Sequence, residues 1–273
     1  MLMIRVALVV SLLITCGCRQ AAGPDLLTSG TWIDLSYEYS GDTIFWPTAK
    51  PFELIVESAG RTPAGYYYAA NSFTTSEHGG THLDAPVHFA EGKWTTEAIP
   101  LERLVGPAVV VDVSEPSAGN ADYLITVDVL DAWERAHGKI PAGSIVLFRT
   151  GWGQRWGDRV RYLGTAKTGT EGAAELHFPG IHPDTARWLV SHGGIDAVGI
   201  DTASIDHGPS KTFDTHQVLM AANIPAFENV AQLDRLPLTG SFVIALPMKI
   251  RGGSGGPLRS AAIVPAGPSR PER

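Results

Sequence analysis

At 273 residues, with 44% hydrophobic and 18% charged side chains, the chain has the composition of an ordinary globular protein, long enough for one large domain or two small ones. A formal net charge of −7 and the lack of any basic run exclude a surface built to neutralise nucleic-acid phosphates.

In chain order, residues 1–18, MLMIRVALVVSLLITCGC, are expected to form an export signal. Arg5 supplies the positive start, and residues 6–14 form an apolar run of signal length that is too short to span a bilayer. Thr15-Cys16-Gly17-Cys18 resembles a bacterial lipoprotein cleavage box, with Cys18 as the lipid-bearing residue and Cys16 as a second candidate. The implied location is the cell envelope or periplasm, with membrane contact only through that anchor. Both cysteines fall here, so the body offers no disulfide and no thiolate; any metal must be held by nitrogen and oxygen.

Residues 19–30 read as a polar tether, residues 31–264 as one domain, and the Pro/Ser/Arg-rich residues 265–273 as a disordered tail. Strands are expected at Trp32 to Tyr39, Tyr67 to Thr75, Val109 to Val113, Ile145 to Thr150, Ala197 to Asp201, Ser241 to Ile250 and Leu258 to Val264. VDVLDAWERAHG predicts a helix capped by Asp128, and HPDTARWLVSHGG predicts one with Pro183 in its first turn; a third is expected over Thr215 to Ala222. RGGSGGPL, residues 251–258, reads as a glycine-rich loop. The pattern is mixed α/β, a large sheet with helices packed on it.

Between the second and third strands lies HGGTHLDAPVHF, residues 78–89, which holds three of the nine histidines. A helix would put His78 and His82 on one face but turn Asp84 away, and two glycines and a proline oppose it. On an extended chain residues 78, 82, 84 and 88 share a side, yet 78 and 84 would stand roughly 20 Å apart. Metal bonds of about 2 Å cannot bridge that gap, so the backbone must bend, and Gly79-Gly80 is where bending is cheap. His78, His82 and Asp84 then form a plausible three-ligand site for Zn²⁺ or Mn²⁺ with a position left for water. The alternative is three unrelated polar loop residues.

The stretch resembles the signature His-x-Gly-Thr-His-x-Asp-x-Pro-x-His-Phe of the cyclase family, the bacterial kynurenine formamidases and isatin hydrolases, and meets every specified position. Ile33-Asp34-Leu35-Ser36, Phe45-Trp46-Pro47, Gly199-Ile200-Asp201-Thr202, and the Asn223-Ile224 and Glu228-Asn229 pairs extend the likeness over about residues 31–264. The resemblance implies a barrel-like mixed β-sheet flanked by helices, the swivelling β/α fold, assembled as homodimers or larger oligomers. It implies that His78, His82 and Asp84 hold one metal, and that Asp84 and Glu228 bridge to a second held also by His216. Members with a single metal exist, so one or two ions, Zn²⁺ or Mn²⁺, are expected. His88 would move protons and Trp46 would line the substrate pocket. The implied chemistry is hydrolysis of a small cyclic or N-acyl amide, with a dication lowering the pKa of water from about 15.7 toward 7. N-formylkynurenine comes first as substrate and isatin-like lactams second. A non-catalytic, metal-binding envelope lipoprotein and a lyase on the same scaffold remain as other readings.

Other polar residues have simpler explanations. His137 and His192 end helices, where the dipole favours them, and His182 suits a cap. His177 and His207 fall on loops. Asp201 and Asp206 either orient ligands or close strand ends. Trp94, Trp152 and Trp156 are expected to pack.

Overall fold

The computed structural model describes residues 26–266. The expected export signal with Cys16 and Cys18, the tether up to residue 25 and the tail from residue 267 lie outside the described residues. The end of the tether differs from expectation. Leu26–Ser29 form one helical turn, and the Trp32 indole donates to the Leu27 carbonyl at 3.2 Å.

The strands are β1 (Thr31–Asp34), β2 (Glu53–Arg61), β3 (Tyr67–Thr74), β4 (His82–Asp84), β5 (Val105–Asp112), β6 (Leu124–Ile125), β7 (Ser144–Arg149), β8 (Gly180–Ile181), β9 (Ile195–Ile200), β10 (Ala226–Glu228), β11 (Ser241–Pro247) and β12 (Gly255–Val264). Seven of them close into a ring in the order β4-β12-β11-β5-β7-β9-β10, and β1 extends β12. The closure rests on the length of β12. Its Leu258–Ile263 stretch pairs with β11 on one edge; on the other, Gly255–Pro257 pairs with β4 and Ala261–Val264 with β1. The expected barrel-like mixed sheet with helices is therefore present.

The central strands β5, β7, β9 and β10 run parallel and are buried on both faces, which is why β5 and β7 read as near-continuous apolar runs. Alternation along β5 sorts the two layers. Ala108 and Val110 point into the ring with Leu83, Leu147, Phe227 and Val243, while Val109 and Val111 point outward to Leu130, Trp133 and Leu189 of the helices. Each fully buried Val, Leu or Ile contributes on the order of 1.5–3 kcal/mol, so these layers dominate the stability of the ring.

The expected helices form at Val127–His137, Pro183–His192 and Asp214–Ala221. Thr126, not Asp128, holds the first cap position; Asp128 sits in the first turn, where its charge suits the dipole. His182 caps the second helix, its Nδ1 accepting from the Asp184 N–H at 3.1 Å. Strand extents are corrected at four ends. The first strand stops at Asp34, β5 starts already at Val105, β11 stops at Pro247, and β12 begins inside the glycine-rich stretch at Gly255, because β4 pairs with it there. β2, β4, β6, β8 and β10 were not foreseen, and of these β2 pairs with β3 as a separate two-stranded ribbon with a bulge between Val56 and Ser58.

Candidate metal centre

Strand pairing assembles the site. In the antiparallel β4–β10 pair, Glu228 lies opposite His82 and Ala226 opposite Asp84. Directly opposed residues share a face, so His82, Asp84 and Glu228 project together while Leu83 and Phe227 turn into the ring. The N-terminal part of helix Asp214–Ala221 brings His216 over that face, and the 3-10 turn Pro86–His88 brings His88.

His78 reaches the cluster through the glycine bend. Gly80 has φ 57, in the left-handed region, and a Cβ there would stand 2.8 Å from the Tyr39 ring; a Cβ at Gly79 would run into Phe45. Tyr39 Oη lies 2.6 and 2.8 Å from the carbonyls of Gly79 and Thr81, and Asn229 Nδ2 donates to the Gly80 carbonyl at 2.8 Å. These bonds hold the bend closed.

The resulting atoms form two overlapping triads, His78–His82–Asp84 and Asp84–His216–Glu228, each with its donor atoms within 4.8 Å of one another. Asp84 belongs to both. Its Oδ1 lies 2.6 Å from His78 Nδ1 and 3.2 Å from His82 Nε2; its Oδ2 lies 3.0 Å from His216 Nε2. Glu228 approaches His216 Nε2 at 3.1 Å and His82 Nε2 at 3.4 Å. The Ile205 N–H donates to Glu228 Oε1 at 2.8 Å.

The outer ring nitrogens decide what the inner ones offer. His82 Nδ1 lies 3.0 Å from the Gly80 carbonyl, which can only accept, so that nitrogen carries the proton. His82 Nε2 is then a lone pair, buried without a hydrogen-bond partner and aimed at two carboxylates. His216 repeats the arrangement. Its Nδ1 donates to Asp206 Oδ2 at 2.6 Å and leaves Nε2 facing Asp84 and Glu228. A carboxylate or carbonyl behind each imidazole is the usual support of a metal-ligating histidine.

The titration of the groups tells the same story in charge. Burial alone would lower the His82 imidazole, but Asp84 and Glu228 more than offset it and push it up to about 10. Burial is likewise outweighed at His216, which its Asp206, Asp84 and Glu228 partners raise well above the usual histidine range. Asp84, despite burial, is held well below the ordinary carboxylate value by the surrounding imidazoles. The cluster therefore demands positive charge between its imidazoles and carboxylates, supplied either by protons on the rings or by a cation. An all-nitrogen-and-oxygen donor set with an orphaned buried lone pair fits Zn²⁺ or Mn²⁺.

The cluster opens into a cavity of about 340 Å³ whose wall includes Ile44, Phe45, Trp46, Phe89 and Phe213. The His88 ring stacks on His78 with centroids 3.9 Å apart and faces the same cavity. Burial pushes its imidazole down to about 4, partly opposed by Asp84. All seven candidate residues of the sequence thus meet here, five as possible ligands and His88 and Trp46 along the wall.

Asp206 stands behind His216, but Asp201 does not join the site. Its carboxylate accepts from Thr150 N and Oγ at 2.8 and 2.6 Å and from Gly151 N at 2.9 Å, pinning the end of β7. His177 pairs with Asp122 at 2.9 Å and His192 with Glu134 at 3.0 Å, both outside the cavity wall. Trp152 is buried and Trp156 stacks on Tyr37 at 3.9 Å. Sequence reasoning missed Phe213, which takes φ 53 just before its helix and packs 5.4 Å from Phe89 and 6.0 Å from Trp46. A non-glycine residue in that region leaves no mark in the sequence.

The Cyclase family model matches residues 33–207, a span that includes Trp46, His78, His82, Asp84 and His88. Isatin hydrolase of Roseibium aggregatum is 37% identical over 209 residues, covering 74% of this chain and 77% of that protein. Kynurenine formamidase of Bacillus cereus is 29% identical over 244 residues, covering 86% and 98%. The crystal structure of an isatin hydrolase bound to the product analogue thioisatinate superposes with a TM-score of 0.78 at 32% identity, covering 88% of this chain and 95% of that one.

Proposed function

The chain belongs to the Cyclase family as a metal-dependent hydrolase of C–N amide bonds, and on that premise we propose that its substrate is an uncharged, planar cyclic aryl amide of the isatin type. The observation that carries this choice is the cavity wall. Away from the ligand cluster it is mostly aromatic and aliphatic, with Phe45, Trp46, Phe89 and Phe213 offering faces to a flat ring; its polar members there are the hydroxyls of Thr48, Ser76 and Ser204, and it includes no lysine or arginine among the described residues. N-formylkynurenine carries an α-carboxylate that would find no cationic partner on this wall, and an unpaired buried charge is costly.

A divalent ion bound by the triads supplies Lewis-acid polarisation of the carbonyl and a water of lowered pKa. The chain's own residues do the rest. Asp206 and the Gly80 carbonyl hold His216 and His82 in single tautomers, so the ligand atoms are fixed before substrate enters. The aromatic wall sets the plane of the amide against the cluster. His88, neutral near pH 7, accepts a proton from the attacking water and returns it to the amide nitrogen as the C–N bond breaks. The product is one ring-opened molecule that carries both a carboxylate and a free aryl amine; the water oxygen ends in the carboxylate, and the second water proton is released to solvent as the carboxyl group ionises.

Offered isatin and N-formylkynurenine side by side, the Zn²⁺- or Mn²⁺-loaded protein is expected to show a kcat/KM at least tenfold higher on isatin, about 1.4 kcal/mol of discrimination. A preference for N-formylkynurenine would reject the reading of the wall. Product formed in ¹⁸O-water without label in the carboxylate would reject hydrolysis itself.

A further inference from the structure

One inference rests on the metal-dependent reading above and concerns the glycine-rich stretch. Ser254 Oγ lies 2.6 Å from Glu77 Oε2 and 2.9 Å from His78 Nε2, and the Ser254 N–H also donates to Glu77. A serine hydroxyl has one hydrogen and a carboxylate only accepts, so Ser254 donates to Glu77 and must accept from His78 Nε2–H. His78 is thereby left with its Nδ1 lone pair toward Asp84. The approach needs glycines on both sides: a Cβ at Gly255 would stand 2.5 Å from His78 Cε1, and one at Gly253 2.8 Å from Glu77 Oε1. We propose that Ser254, held by Glu77, is a positioning residue that fixes the tautomer and aim of His78 for the metal.

Chelator-competition titration with Zn²⁺ reads this without turnover. Ser254→Ala is expected to bind Zn²⁺ about tenfold more weakly than the wild type at equal thermal stability of the metal-free protein, and Ser254→Thr, which keeps the hydroxyl, to restore binding. Equal affinity in Ser254→Ala overturns the positioning role. A wild-type chain that takes up no Zn²⁺ or Mn²⁺ overturns the metal reading and this role with it.

Discussion

Asp84→Asn is expected to empty both metal positions and to bring amide turnover to background. The substitution keeps the shape of the side chain and removes its charge. Asp84 is the one residue common to the two triads, with an oxygen within 3.2 Å of each of His78, His82 and His216. Loss of Lewis-acid stabilisation worth several kcal/mol corresponds to a fall of about 10³-fold or more in kcat/KM. Glu228→Gln supplies the contrast, because Glu228 belongs to one triad only. It should lower the metal content by one ion at most and leave the His78–His82–Asp84 position filled. Elemental analysis after dialysis against Zn²⁺, set beside isatin turnover, reads both variants. Asp84→Asn protein that retains metal and rate would remove the triads from the chemistry.

The next largest effect is expected at His88. Its ring faces the cavity but makes no approach to a carboxylate among the described ion pairs, so His88→Ala should leave the metal content intact. Turnover should fall by 10²–10⁴-fold, the usual share of a proton-transfer group, with KM little changed. The sign of the pH dependence follows from burial. An imidazole pushed down to about 4 is neutral and able to accept a proton throughout pH 6 to 8. The acid limb of kcat/KM in the wild type should therefore lie well below the ordinary histidine value of about 6.5. A limb centred near 6.5, or an unchanged profile in His88→Ala, would assign the proton transfer elsewhere.

What could be seen in the sequence was whatever its own neighbourhood dictates. HGGTHLDAPVHF concentrates donors around a glycine bend, so the logic of three ligands is contained in twelve residues. The partners His216 and Glu228 lie more than 130 positions away, and the resemblance alone pointed to them. The strands that carry the site could not be read at all. β4 and β10 have three residues each, too few for any periodicity, and they exist because β9 and β12 pair with them. β2 was missed for a different reason. ELIVESAGR shows no alternation between apolar and polar because neither face of the ribbon packs on the barrel. Ser254 and Glu77 are 177 positions apart, and only the folded chain brings them together behind His78.

The closure of the ring also fixes an order of events. β4 carries two of the candidate ligands and is hydrogen-bonded along one edge by Gly255–Pro257, about 170 positions further along the chain. A ribosome making this protein therefore releases residues 78–84 long before the strand that completes their sheet has been translated. Until β12 has been made and has docked, the strand that carries His82 and Asp84 lacks the partner on one of its edges. A chain cut before Gly255 would lack β12 and so open the barrel on the side that bears the histidine cluster.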